Sequence, residues 1–262
     1  MIGVFDSGLG GLTVVKEILK QLPGHRVVYF GDTARMPYGT KGPEAIRRFA
    51  VEDARLLVKE GAQAIVIACN TASALAADQV RAAVRVPVFE VVTPAVRAAA
   101  RVSRGHVGVI GTAATVGSGI YPRLLKKALP KARISLQACP LFVPLVEEDW
   151  VRQPETQTIA NKYLHQLKLR DIDTLILGCT HYPFLRREIR QAVGKQVRLI
   201  DPAKETVAEL KQYLATHPRQ VTKEGMRARH RFLVSDRSPR FVSIASRWLR
   251  RPITLELAAL PC

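Results

Sequence analysis

Short apolar runs rich in Val and Ile recur along the chain, separated by longer stretches in which apolar residues return every three to four positions. The runs predict strands over 2–5, 27–30, 64–68, 88–92, 107–110, 134–138, 174–177 and 197–200. The amphipathic stretches between them predict helices over 12–22, 45–60, 72–84, 156–167 and 184–193. Alternation of this kind specifies an α/β fold, with parallel strands covered by helices on both faces. Such sheets bind ligands beyond the carboxyl ends of their strands, so the loops that follow strands are where chemistry is expected. Past residue 202 the pattern continues with a helix over 207–214, a strand over 231–235 and a last helix over 241–249.

The chain also resembles itself. Ile2-Gly3-Val4-Phe5-Asp6-Ser7 matches Val107-Gly108-Val109-Ile110-Gly111-Thr112 at an offset of 105 residues. Ala64-Ile65-Val66-Ile67-Ala68-Cys69-Asn70-Thr71 matches Thr174-Leu175-Ile176-Leu177-Gly178-Cys179-Thr180-His181 at 110, and Val91-Val92-Thr93-Pro94 matches Leu199-Ile200-Asp201-Pro202 at 108. One match between apolar strands means little. Three in the same order at nearly one offset indicate an internal duplication, and hence two similar parallel-sheet halves, roughly residues 1–92 and 93–201.

Composition narrows the class. Hydrophobic residues make up 47% and charged residues 24%, an ordinary globular balance that excludes disorder and coiled coil. No basic stretch followed by an apolar region opens the chain, and no apolar run has the length of a membrane span, so a cytoplasmic protein without membrane contact is expected. Cysteines stand far apart at 69, 139, 179 and 262, with no Cys-x-x-Cys pair and no histidine at zinc spacing; neither a metal site nor a redox dithiol is indicated. The net charge of +18 suits approach of an anionic substrate or a polyanion. Its basic residues are spread along the chain, as on a solvated Arg-rich surface.

Duplication gives two of the cysteines their meaning. Cys69 and Cys179 each follow an apolar strand and precede a polar residue. Taken singly, each is an ordinary buried thiol; if the halves face each other about a pseudo-twofold axis, the repeated pair would face each other across a shared cleft. That arrangement suits inversion at an α-carbon, where a thiolate takes a proton from one face and a thiol delivers one to the other. Placement before a helix is expected to lower each thiol's pKa from about 8.5 toward neutrality. The loop Asp6-Ser7-Gly8-Leu9-Gly10-Gly11 is either a tight turn or a substrate grip, with Asp6 near the first cysteine. It is not Gly-x-Gly-x-x-Gly, so a nucleotide-binding reading is weak. His181 is the counterpart polar group beside Cys179. Pro37-Tyr38-Gly39 alone is an ordinary turn.

Together, Asp6-Ser7-Gly8-Leu9-Gly10-Gly11-Leu12-Thr13-Val14, Pro37-Tyr38-Gly39, Cys69-Asn70-Thr71-Ala72, the segment from Cys139-Pro140 to Val146-Glu147, and Gly178-Cys179-Thr180-His181-Tyr182-Pro183 resemble the glutamate racemase family, from Ile2 to about Pro202. The resemblance implies two α/β domains, residues 1–92 plus about 203–262 and residues 93–202, with the active site between them. It implies no cofactor, neither pyridoxal phosphate nor metal, and assigns Cys69 and Cys179 as the acid/base pair. Asp6 and His181 would assist the first and second thiol, with Glu147 in support. Substrate contacts carry over to Asp6, Ser7, Pro37, Tyr38, Gly39, Asn70, Thr71, Thr180 and His181. Thr112 and Thr115 match a further carboxylate-binding stretch, although helix capping explains them equally well. The implied activity is interconversion of L- and D-glutamate for peptidoglycan synthesis, by a homodimer.

A sister activity on aspartate or another acid, as racemase or decarboxylase, is the nearest alternative. A basic regulator bound to nucleic acid or DNA gyrase is an alternative of another class, but no recognition helix, aromatic stacking surface or RNA-binding signature supports it. Cys139 and Cys262 look incidental, Cys262 as an exposed terminal thiol.

Overall fold

The computed structural model describes residues 1–218, 221 and 229–258; Cys262 lies outside the described residues. Among these residues ten strands run in chain order: β1 (Ile2–Asp6), β2 (Val27–Gly31), β3 (Ala64–Ile67), β4 (Val88–Glu90), β5 (His106–Gly111), β6 (Arg133–Ala138), β7 (Thr174–Gly178), β8 (Arg198–Ile200), β9 (Arg231–Val234) and β10 (Leu255–Leu257). They form two sheets, ordered β10-β9-β2-β1-β3-β4 and β6-β5-β7-β8, in which every paired neighbour is parallel. The order β2-β1-β3-β4 is repeated as β6-β5-β7-β8, the pattern that the sequence repeats imply. In each sheet the chain steps to one side of its first strand and then to the other, leaving a crevice at the carboxyl ends of β1 and β3, and of β5 and β7.

Among the described residues eleven α-helices cover these sheets: α1 (Leu12–Gln21), α2 (Pro43–Lys59), α3 (Asn70–Ala83), α4 (Val92–Val102), α5 (Ala113–Gly117), α6 (Ile120–Ala128), α7 (Phe142–Glu147), α8 (Pro154–Leu169), α9 (Arg186–Val193), α10 (Pro202–Thr216) and α11 (Pro239–Leu249). The central strands are apolar without alternation because both faces are covered. Ile2, Val4 and Val66 face α1 and α11, whereas Phe5, Ile65 and Ile67 face α2 and α3. The first of these clusters continues without a break into Leu175, Leu177 and Ile189 of the second sheet's layer. One apolar core therefore spans both halves, and the cleft sits above it.

Two sequence expectations change. The strand expected over 88–92 ends at Glu90, whose carboxylate accepts the N–H groups of Val92 and Thr93 and so starts α4, a helix not foreseen. α5, α6, α7 and β10 were also unforeseen. β9 pairs with β2 and β10 with β9, which joins the carboxyl-terminal segment to the first sheet.

Candidate active site

Cys69 is the N-cap of α3: Sγ accepts the Ala72 N–H at 3.5 Å, and the thiol reaches Ser7 Oγ at 3.7 Å. Ser7 arrives from β1, where Asp6 Oδ2 accepts the Gly8 N–H at 3.1 Å and shapes the loop. Across the cleft, β7 ends at Gly178 and the chain turns at Cys179 into a single turn of 3-10 helix, Tyr182–Leu185, ahead of α9. His181 Nδ1 lies 3.7 Å from Cys179 Sγ, and its Nε2 lies 3.1 Å from Glu147 Oε1 at the end of α7. Trp248 of α11 meets the imidazole edge-on, with ring centroids 5.7 Å apart.

Electrostatics differ between the two sides. Burial pushes the Cys69 thiol up to about 12, and the Asp6 carboxylate adds to the rise, while the Ala72 N–H and Ser7 oppose it. The expected lowering by the helix N-terminus is thus overturned for Cys69, because desolvation beside a carboxylate outweighs one backbone N–H. Asp6 is itself raised, first by burial, against the pull of His181 and the Gly11 and Gly8 N–H groups. Burial alone would lower His181, but its hydrogen bonds to Cys179 and Glu147 prevail and hold it at about 10.

Hydroxyls from both halves meet at the other end of the cleft. Thr71, Thr112 and Thr115 form a closed triangle with oxygens 3.0 to 3.1 Å apart. The Thr112 hydroxyl also accepts the Thr115 N–H at 3.2 Å, so capping and a place at the cleft coexist. Two glycines let the halves close. A Cβ on Gly10 would lie 2.2 Å from Thr180 Oγ1 and 2.6 Å from the His181 ring, and one on Gly39 would lie 2.7 Å from Thr112 Cβ.

A narrow cleft results, lined by Ser7, Pro37, Tyr38, Gly39, Cys69, Asn70, Thr71, Thr112, Glu147, Cys179, Thr180 and His181, with Gly8, Met36 and Val143 in addition. Asp6 and Thr115 do not line it; they stand behind Ser7 and behind the other two threonines. Tyr38 contributes its ring and backbone, for its hydroxyl is turned away to Asp32 at 2.5 Å and Asp53 at 2.9 Å.

A family model described as Asp/Glu/Hydantoin racemase matches residues 2–210. The glutamate racemase of Geobacter metallireducens is 44% identical over 251 residues, covering 95% of this chain and 92% of that protein. The chain belongs to the glutamate racemases of the Asp/Glu/hydantoin racemase family. Solved glutamate racemase structures agree over nearly the whole length. That of Francisella tularensis in complex with D-glutamate has a TM-score of 0.92 at 38% identity, covering 99% of this chain and 97% of its own. That of Thermus thermophilus in complex with β-chloro-D-alanine has 0.89 at 45%, covering 99% and 96%. As a member of this family the chain is an amino-acid racemase, an isomerase acting on a small molecule.

Within a racemase cleft, motif reading assigned no part to several residues. Met36 and Val143 are apolar wall, Trp248 comes from a distant helix, and Tyr121 donates from α6 to Asn70 Oδ1 at 2.8 Å. Met36 adjoins Pro37-Tyr38-Gly39 and Val143 lies within the Cys139–Glu147 segment, which is the one signal that pointed to them.

Proposed function

We propose that the chain interconverts L- and D-glutamate by passing an α-proton between Cys69 and Cys179. The observation that carries this reading is the placement of two thiols at the ends of equivalent strands, β3 and β7, on the wall of one cleft. The D-glutamate complex of the Francisella relative supports a substrate of that class.

With the amino acid held between the thiols, one sulfur as thiolate breaks the Cα–H bond and becomes a thiol. The electron pair left on Cα delocalises into the carboxylate. The other thiol then delivers its proton to the opposite face, and the two sulfurs have exchanged roles. In this reading the raised Cys69 rests as the thiol, and His181 with Glu147 stands beside Cys179 on the opposite wall. Charge developing on the substrate carboxylate meets the Ser7, Thr71, Thr112 and Thr180 hydroxyls, while the Asn70 amide holds that carboxylate from binding onward. Asp6 and Thr115 act from behind, as positioning groups. No pyridoxal phosphate or metal takes part.

The same reading takes residues 1–92 with 203–262 as one domain and 93–202 as the other, and a homodimer as the working unit. It places the chain in a bacterial cytoplasm, supplying D-glutamate to peptidoglycan synthesis. Among the described residues no helix is long and apolar enough to cross a membrane.

The test is incubation of the protein with D-glutamate in D₂O, following optical rotation and α-deuterium together. Inversion with one deuterium gained per inverted product is expected. Inversion without deuterium uptake would overturn the proton-transfer mechanism. Turnover of aspartate in preference to glutamate would move the chain to the sister activity.

A further inference from the structure

Tyr121 stands in the first turn of α6 and is 1% exposed. Its hydroxyl crosses from the layer of the second sheet to that of the first and donates to Asn70 Oδ1 at 2.8 Å. Burial, with Glu90 and Cys179 nearby, pushes this phenol well above its ordinary pKa, so the oxygen keeps its proton. Among the described residues it has no other acceptor. A carboxamide has one accepting end and one donating end, and turning Asn70 over would leave a buried O–H unpaired. The phenol therefore decides which way Asn70 faces. Oδ1 points to Tyr121, and Nδ2 is left with no protein acceptor among the described residues, on a side chain that lines the cleft.

The same ring touches the opposite thiol loop. A Cβ built on Gly178 would lie 3.3 Å from Tyr121 Cε2, so the tyrosine rests against the last residue of β7. Asn70 follows Cys69 and Gly178 precedes Cys179. A single buried side chain thus contacts the neighbour of each thiol, one by hydrogen bond and the other by packing.

We propose that Tyr121 is a positioning residue of the racemase: it fixes the Asn70 carboxamide with both N–H groups free for the substrate carboxylate, and it braces the strand end that carries Cys179. This rests on the reading of Asn70 as a substrate contact. The preset amide spares the substrate the task of turning it at each binding event, so its loss is felt in binding more than in proton transfer.

Three variants, Tyr121→Phe, Asn70→Ala and the double variant, are compared with wild type for kcat and KM with D-glutamate, alongside thermal unfolding. Tyr121→Phe is expected to raise KM about tenfold with kcat changed less than about threefold, the size of one hydrogen bond to a charged group. In the double variant the Tyr121→Phe effect should vanish, since no amide remains to be oriented. Effects that multiply in the double variant, or a fall in kcat matching the fall in stability with KM unchanged, would overturn the proposal. In ¹⁵N spectra of the wild-type protein, the Asn70 amide pair, assigned by its absence from Asn70→Ala, should shift on titration with D-glutamate. An unmoved pair would overturn the proposal even if Tyr121→Phe failed to fold. A wild type that binds D-glutamate without inverting it would instead strike the functional reading alone.

Discussion

Cys69 and Cys179 end equivalent strands of a repeated sheet, yet the groups behind them differ in kind. Behind Cys69 are a hydroxyl, a backbone N–H and a buried carboxylate that raises the thiol; behind Cys179 is an imidazole backed by a second carboxylate. The repeat supplies the positions of the two sulfurs, and the loops supply their neighbours. An inverting reaction needs one sulfur to hold the proton that the other lacks, with the two exchanging at each turnover, so the neighbours bear on each side separately.

The strongest way to break the comparison is to remove either sulfur. Cys69→Ser and Cys179→Ser should each lower racemisation on the order of 10²–10⁴-fold, as loss of an acid or base does. Loss in only one of them, measured by optical rotation, would mean that the two sides are not partners. Next in size is Gly10→Ala. The added methyl must displace Thr180 and His181 from where they sit, and misplacement of about 1 Å at a reacting group can cost about 10²-fold in kcat. Circular dichroism would show the fold retained, and a kcat near that of wild type would show that the loop gives way freely.

Smaller changes sharpen the contrast between the sides. Glu147→Gln removes a charge from the His181 pair and is expected to lower kcat about 10–100-fold, whereas Ser7→Ala removes a neutral partner of Cys69 and should lower it only about fivefold. Equal effects would argue that the imidazole side has no special part. The last contrast lies in stability, not rate. His181 sits at about 10 in the folded protein, against about 6.5 in an unfolded chain. A raised value means that its paired, charged form stabilises the fold fully below about pH 6.5 and that this contribution fades as pH climbs toward 10. The gap in melting temperature between wild type and His181→Gln should therefore narrow across that window; a gap constant with pH would show the imidazole to be neutral throughout.

Much of the fold was legible because buried parallel strands leave continuous apolar runs, as at Ala64–Ile67 and Thr174–Gly178. Helix α4 was not, since Val91 and Val92 extend the apolar run of β4 and only the Glu90 carboxylate marks where the helix begins. The site was legible wherever chemistry and motif coincide, at Cys69, Cys179 and His181. It was illegible where a contact joins distant residues. Nothing local tells that the Tyr38 hydroxyl turns to Asp53, or that Tyr121 reaches Asn70. Desolvation was the other blind spot. A helix start can be read from a loop, but the depth at which Cys69 is buried depends on the whole cleft.

Thr33 Oγ1 of the β2 loop donates to the carbonyl of Asp236, 203 residues further along, where β9 has just closed the edge of β2. On the ribosome, where a chain emerges at about 5–20 residues per second, the four strands of the second sheet are made one after another and can pair at once. The first sheet must wait with its β2 edge open until nearly the whole chain is out. Chains halted before residue 231 should therefore exchange the β2 backbone amides that pair with β9 faster than the full-length chain does.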